Sequence, residues 1–300
     1  MTYDITHTTT YGYRDPVSVS HHLLRLSPRV LRHQSCRSHE IHLEPTPAVS
    51  QAHVDYFGNT VTFATIEGAH RRLIVKSSAR VAVSPPHRPD PAETPAWETV
   101  RDSSRGRQIG SALDASEFIF PSPLINLADK FADYARTSFT KDRPILDAML
   151  DLTRRLHADF KFDPKATTIA TPLEAVFKNR RGVCQDFAQF QIACLRSLGL
   201  PARYVSGYLE TLPPPGRPRL VGADATHAWV SFYCHGLGWI DVDPTNNLLP
   251  TTRHITVAWG RDYSDVSPVH GVILGSGEHT LKVSVDVAPL SAERPPPSPE

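Results

Sequence analysis

The spacing of apolar residues changes period once along the chain. Up to about residue 83 they alternate with polar ones in short runs, "IHLEP", "NTVTFATIEG" and "RRLIVKSSARVAV", rich in Val, Ile and Thr. Period-two alternation is the mark of half-buried strands, and Gly58-Asn59 and Glu67-Gly68 are turn signals between them. Residues 1–83 therefore predict an N-terminal all-β domain. From Pro121 the period lengthens. "LINLADKFADYA" carries Leu124, Leu127, Ala128, Phe131, Ala132 and Ala135 at helical spacing, and "PILDAMLDLTRRLHADF" repeats it with Pro144 at a first helical position.

A third helix starts at Cys184, with Phe187, Ala188, Gln191, Leu195 and Leu198 along one stripe and Gly199 as its stop. Strands follow at Ala202–Leu209, His227–Cys234 and Trp239–Asp243. The fold class is thus α+β, with a core over 121–270. The segment 84–120, dense in proline and charge, has no pattern that builds a sheet or a core and reads as a linker. Within 271–288, "TLKVSVDV" places Leu281, Val283, Val285 and Val287 on one face, as in a strand returning to the N-terminal sheet. The tail 289–300, "PLSAERPPPSPE", has the composition of a disordered end.

Charge narrows the function classes. The 300 residues carry 32 basic and 31 acidic side chains, a net charge of +1, so nothing draws the chain to nucleic acid or to an anionic membrane. No apolar run reaches the roughly 18 residues of a membrane span, and the N-terminus lacks the basic start and apolar centre of a signal peptide. The expectation is a cytoplasmic protein with its four cysteines reduced. No CxxC pair suggests zinc. The histidines at 21, 22, 39 and 42 lack zinc spacing and read as surface residues, and neither metal nor cofactor is expected.

Cys184 stands apart from the other cysteines. Cys194 lies mid-helix between Ala193 and Leu195, an ordinary packing position. Cys184 opens its helix behind "NRRGV", where unpaired N–H groups and the positive dipole end favour a thiolate. The same N–H groups suit an oxyanion. Gly182 would let the chain turn tightly and a substrate approach the sulfur. A cysteine nucleophile needs a base, and the base an orienting partner. "DATHAWVSFYCHGLGWIDVDPTNN" supplies both in one hairpin. If Tyr233 pairs with Trp239, Asp243 falls opposite Trp229 and diagonal to His227, whereas Asp241 opposes Ser231, too far along the strand. Geometry thus prefers Asp243.

"GVCQDFA", "LRSLGLPARYVSGY", "HAWVSFY" and "GWIDVDPTN" resemble the core motifs of the transglutaminase-like superfamily, relatives of papain-like cysteine proteases. "THTTTYGYRDPVSVSHHLLRLSPR", "VDYFGNTVTF" and "HITVAWGRDYSDVSPVHG" resemble its bacterial members that carry an added N-terminal β region. The resemblance implies a papain/transglutaminase-like core, a Cys-bearing helix on an antiparallel sheet bearing His and Asp. It implies Cys184 as nucleophile, His227 as base and Asp243 as orienting acid. Gln189 departs from the histidine of this subgroup without touching the triad, and no EF-hand-like loop carries over calcium dependence.

Around these three residues, Asp186 reads as a helix cap or a partner of Arg203. Trp229 and Trp239 read equally as cleft walls or core. "GRDYSDVSP", with Asp262 and Tyr263, is too polar for a core and lines the cleft. The proline-rich "ETLPPPGRPRLVGADAT" is a lid or a passive excursion. The expected activity is acyl transfer on amide bonds of proteins or peptides through a Cys184 thioester, with hydrolysis favoured over transamidation. The alternatives are a protein-glutamine transglutaminase and a catalytically silent binding or scaffold protein.

Overall fold

The structure, a computed structural model, describes residues 1–105, 115–212, 224–275 and 277–290. Its largest sheet is built on two long antiparallel strands, β1 (Thr2–Leu24) and β4 (Thr60–Val83). Alternation does the work of burial there. Leu73, Val75, Ala79, Val81 and Val83 point inward, while Arg72, Lys76 and Arg80 point out. On β4 the far side of the ladder pairs with β2 (Gln34–Glu44) and β3 (Val49–Val54).

The second sheet has the order β10-β7-β8-β9, from β7 (Ala202–Leu209), β8 (Ala225–Cys234), β9 (Gly238–Val242) and β10 (His254–Gly260). A short parallel pair joins β5 (Lys161–Phe162) to β6 (Arg181–Gly182). The helices are α1 (Trp97–Arg105), α2 (Asp129–Arg136), α3 (Ile145–Asp159), α4 (Leu173–Asn179), α5 (Cys184–Ser197) and α6 (Tyr263–Val266). Helix α5 is buried along most of its length and packs on β7 and β8, sharing a core with Phe131, Leu152, Leu156, Val230 and Phe232. That core is continuous with Tyr3, Ile5, Val81 and Val83 of the large sheet. At Arg196 the helix is tied to the loops beneath it. The guanidinium, 2% exposed, donates to the carbonyls of Phe120, Ala202 and Arg261.

The chain's C-terminal part returns to the first strand. β11 (Val269–Leu274) pairs with residues 19–24 of β1, and β12 (His279–Leu290) with residues 2–13. Val285 and Val287 of β12 are buried in the shared core, but Leu281 and Val283 are exposed, so only half of the expected apolar face is covered. Buried polar contacts join the two sheets as well. β10 is an edge strand, and two amides from the N-terminal region close its edge. Gln34 accepts from Thr256 N and donates to Thr256 O, each at 2.8 Å. Asn59 accepts from Trp259 N at 3.0 Å and donates to Trp259 O at 2.8 Å. Each side chain stands where a neighbouring strand's backbone would be. The guanidiniums of Arg29 and Arg203 both lie over the Trp259 ring, 3.4 and 3.7 Å from its centroid.

Three expectations need correction. Glu67-Gly68 is not a turn: β4 runs through it, and Gly68, at φ +96°, sits where the β1–β4 register shifts. A bulge takes a left-handed glycine as readily as a turn does. Within the segment 84–120, the described residues 84–105 are not merely a surface linker. Trp97 and Val100 of α1 are buried in the main core, and the Trp97 indole donates to Thr140 O at 2.9 Å. Flanking prolines and charges hid this short helix. Leu124–Ala128 precedes α2 instead of belonging to it, because the Leu124 amide is engaged by the Asp262 carboxylate at 2.8 Å. Most of the proline-rich loop and the end of the tail lie outside the described residues; β12 itself reaches Leu290.

Candidate active site

Cys184 is the first residue of α5 and is partly exposed, while Phe187 onward is buried. The helix start is fixed by Asp186. Its Oδ2 accepts the Val183 amide at 2.7 Å and the Thr167 hydroxyl at 2.6 Å. Asp186 is therefore a cap, not a partner of Arg203. Burial pushes its carboxyl up, and the two hydrogen bonds hold it down in part. The role expected of Gly182 also changes. Its backbone is in β6 with no positive φ, and a Cβ there would lie 2.5 Å from Asp186 Oδ2. Glycine is needed to admit the capping carboxylate. The N-cap residue, Val183, has no side-chain acceptor for the helical amides that follow it, which leaves donors beside the sulfur.

The β8–β9 hairpin has the register that the sequence predicts, Tyr233 opposite Trp239 and Ser231 opposite Asp241. Asp243 lies just past the ladder, fully buried, and its Oδ2 accepts from His227 Nε2 at 2.7 Å. That leaves Nδ1 of the ring without a bond to Asp243, and the Cys184 thiol is near enough to favour the charged imidazole. Asp241 instead accepts the Trp229 indole N–H at 3.0 Å. Burial is the largest influence on His227 and opposes its charge. The hydrogen bonds and negative charges of Asp243 and Cys184 overcome it, and the imidazole is pushed up to about 10. Burial likewise works against the Asp243 carboxylate, but the N–H donors around it hold it well below the usual range.

Two partners of Asp243 escaped the sequence. Asn246 donates its amide N–H to Oδ2 at 2.7 Å, and its backbone N–H, with that of Thr245, holds Oδ1. His254 on β10 approaches Oδ2 with Nε2 at 3.1 Å. Asn246 stands in the recognised "DPTN", so its place next to the aspartate was readable. No spacing marks His254, which meets Asp243 only because β10, β7 and β8 lie side by side. The ligand atoms of His227, Asp243 and His254 fall within 4.8 Å of one another. The Asn246 amide occupies the same space, and each N–H points at the carboxylate, which is the arrangement of a proton-sharing network.

The remaining candidates divide. Trp229 is buried, and its ring packs beside those of His227 (6.1 Å) and His254 (5.4 Å), which are themselves 6.0 Å apart, so it is a floor to the site and not a cleft wall. Trp239 packs on Phe118 and under the Arg203 guanidinium. Asp262, fully buried, caps α6 through Ser264 N and holds Leu124 N, so it does not face a cleft. Tyr263 donates its amide to Gln189 on α5 at 3.3 Å. It also lines a groove of about 490 Å³ together with Tyr11, Tyr13 and His22 of β1.

Residues 3–82 match the family described as the bacterial transglutaminase-like N-terminal region, and residues 132–244 match the transglutaminase-like superfamily core. An uncharacterised protein of Mycobacterium tuberculosis is 39% identical over 300 residues, covering 97% of this chain and 94% of that one. One of Mycobacterium leprae is 31% identical over 294 residues, covering 96% and 98%. A protein-glutamine gamma-glutamyltransferase of Pseudomonas aeruginosa is 32% identical over 124 residues, 41% of this chain and 19% of that protein. In fold, the chain is similar to a crystal structure described as a candidate cysteine protease of Cytophaga hutchinsonii. The TM-score is 0.76 at 21% identity, over 99% of this chain and 93% of the other.

Proposed function

The chain belongs to the transglutaminase-like superfamily, and from that premise we propose that it is a cysteine enzyme cleaving amide bonds of proteins or peptides. The observation that carries the reading is the buried His227–Asp243 pair at 2.7 Å with Cys184 beside the same imidazole. The Cys184 thiolate adds to the amide carbonyl carbon, and the oxyanion lies toward the uncapped amides at the start of α5. The oxyanion then reforms the carbonyl and the C–N bond breaks, while the proton on His227 goes to the departing amine. A thioester remains. His227, now neutral, takes a proton from water as it attacks, and hydrolysis releases the acid and restores Cys184.

Hydrolysis is favoured because Cys184 remains partly open to solvent, so water has access to the thioester. A primary amine in place of water would give transamidation, and the similarity to the Pseudomonas gamma-glutamyltransferase supports that second reading. The test is mass spectrometry of a peptide library incubated with the protein, with and without an amine donor. Cleaved or deamidated peptides support hydrolysis, and amine adducts support transamidation. Products that persist with Cys184→Ala, or none with the native chain, would overturn the reading.

A further inference from the structure

His254 is held from two sides. Its Nδ1 accepts the Thr251 N–H at 3.3 Å, and its own backbone N–H returns to Thr251 O at 3.1 Å. A ring nitrogen that accepts an N–H carries no proton, so in the neutral ring the proton is on Nε2, 3.1 Å from Asp243 Oδ2. The ring is 4% exposed and stands edge-on to the Trp229 indole at 89°. Burial keeps it neutral against the pull of Asp243, and His227 disfavours a second charge beside its own.

Oδ2 thus receives three N–H groups, from His227 and Asn246 at 2.7 Å each and from His254 at 3.1 Å. The Thr245 and Asn246 amides already orient the carboxylate through Oδ1. The third donor therefore adds little to its position. What it adds is electrostatic: the positive end of a fixed dipole aimed at the atom that holds His227. We propose that His254 is a positioning residue of this site, acting through Asp243. Its Nε2–H shares Oδ2 with His227 and limits how firmly the carboxylate keeps the His227 proton.

The consequence concerns proton delivery. An imidazolium held too firmly is a poor acid toward a departing amine, and sharing the carboxylate oxygen weakens that hold without moving the ring. The groups facing the pair are Asp243 from the turn after β9, Cys184 from α5 and, at longer range, Asp241 from β9. None of these supplies a donor to Oδ2.

This inference rests on the proposed triad, but its test needs no substrate. In full-length protein carrying Cys184→Ala, the His227 ring is titrated by NMR with labelled histidine, its signal assigned by loss in His227→Gln. His254→Phe keeps a flat ring against Trp229 and removes the N–H. The His227 proton affinity is then expected to rise roughly five-fold, the effect of one ordinary hydrogen bond. His254→Gln, which restores an N–H near the same place, is expected to return it toward the starting value. If His254→Phe does not fold, His254→Leu makes the same test. An unchanged or lowered affinity without the N–H, or no return with Gln, would overturn the proposal. Absence of peptidase activity would leave the titration intact and would overturn only the proposed reaction.

Discussion

Replacing Gln34 by Met tests whether the N-terminal region is part of the catalytic fold. Gln34 is 1% exposed and its side chain makes three hydrogen bonds, two with the backbone of Thr256 and one from Nε2 to Arg29 O at 2.7 Å. Met preserves length and apolar volume and makes none of them. Thr256 O keeps the Arg29 N–H at 3.1 Å, so its loss is partial. Among the described residues Thr256 N has no other acceptor on that open edge, and a buried orphan donor costs about 1–3 kcal/mol. Adding part of the Arg29 carbonyl gives about 2–4 kcal/mol, a large fraction of the roughly 5–15 kcal/mol that holds a domain folded. Urea unfolding of the full chain should then show one transition moved to lower denaturant with its slope unchanged. A single transition is expected because both sheets share one core. A change below about 0.5 kcal/mol, the size of a neutral surface substitution, would refute the reasoning. So would a split into two transitions in the native chain.

Cys184 should be alkylated by iodoacetamide well before the other cysteines near neutral pH, read by peptide mapping. Burial pushes the Cys234 thiol up to about 11 and also raises those of Cys36 and Cys194, so equal labelling of any of them would contradict the assignment. Stability should fall between pH 7 and 10. The His227 ring, raised from 6.5 to about 10 in the folded state, contributes fully below 6.5, and the contribution is lost as pH rises through about 10. His227→Gln should flatten that decline in denaturant midpoint, and an equally steep curve would remove His227 as its cause. Gly182→Ala should displace the Asp186 cap and cost about 1 kcal/mol or more. If Asp186→Ala then costs as much again in the double variant, the two do not act through the same contact.

The parts of the site that were legible in the sequence are those set by local rules. A helix start and a hairpin each fix geometry within a few residues, so Cys184 could be placed by its cap and Asp243 by counting across a turn. The same logic failed wherever a position depends on distant chain. Gly68 could not be told from a turn because turn and bulge use the same residue chemistry. Trp97 looked like linker because its partners, Phe139 and Thr140, come more than forty residues later. Asp262 looked like a cleft residue, and Trp229 could be read equally as cleft wall or core, because polarity and aromaticity do not say which backbone amide or ring will meet them.

His254 shows the sharpest form of this limit. Its meeting with Asp243 requires β10 to lie beside β7 with His254 opposite Leu209, a register that no local pattern announces. The free edge of that strand is closed by Gln34 and Asn59, contributed from about 200 residues earlier. The His227–Asp243 pair therefore meets a histidine on a strand whose edge the N-terminal region completes. The returning strand β12 fastens the two regions as well, through the Asp224 carboxylate, which accepts the Val287 amide at 2.7 Å and the Thr211 amide at 2.9 Å. That tie closes the ends of the chain. The tie through β10 reaches the histidine that touches Asp243, so of the two it is the one by which the β region would act on the reaction proposed for Cys184.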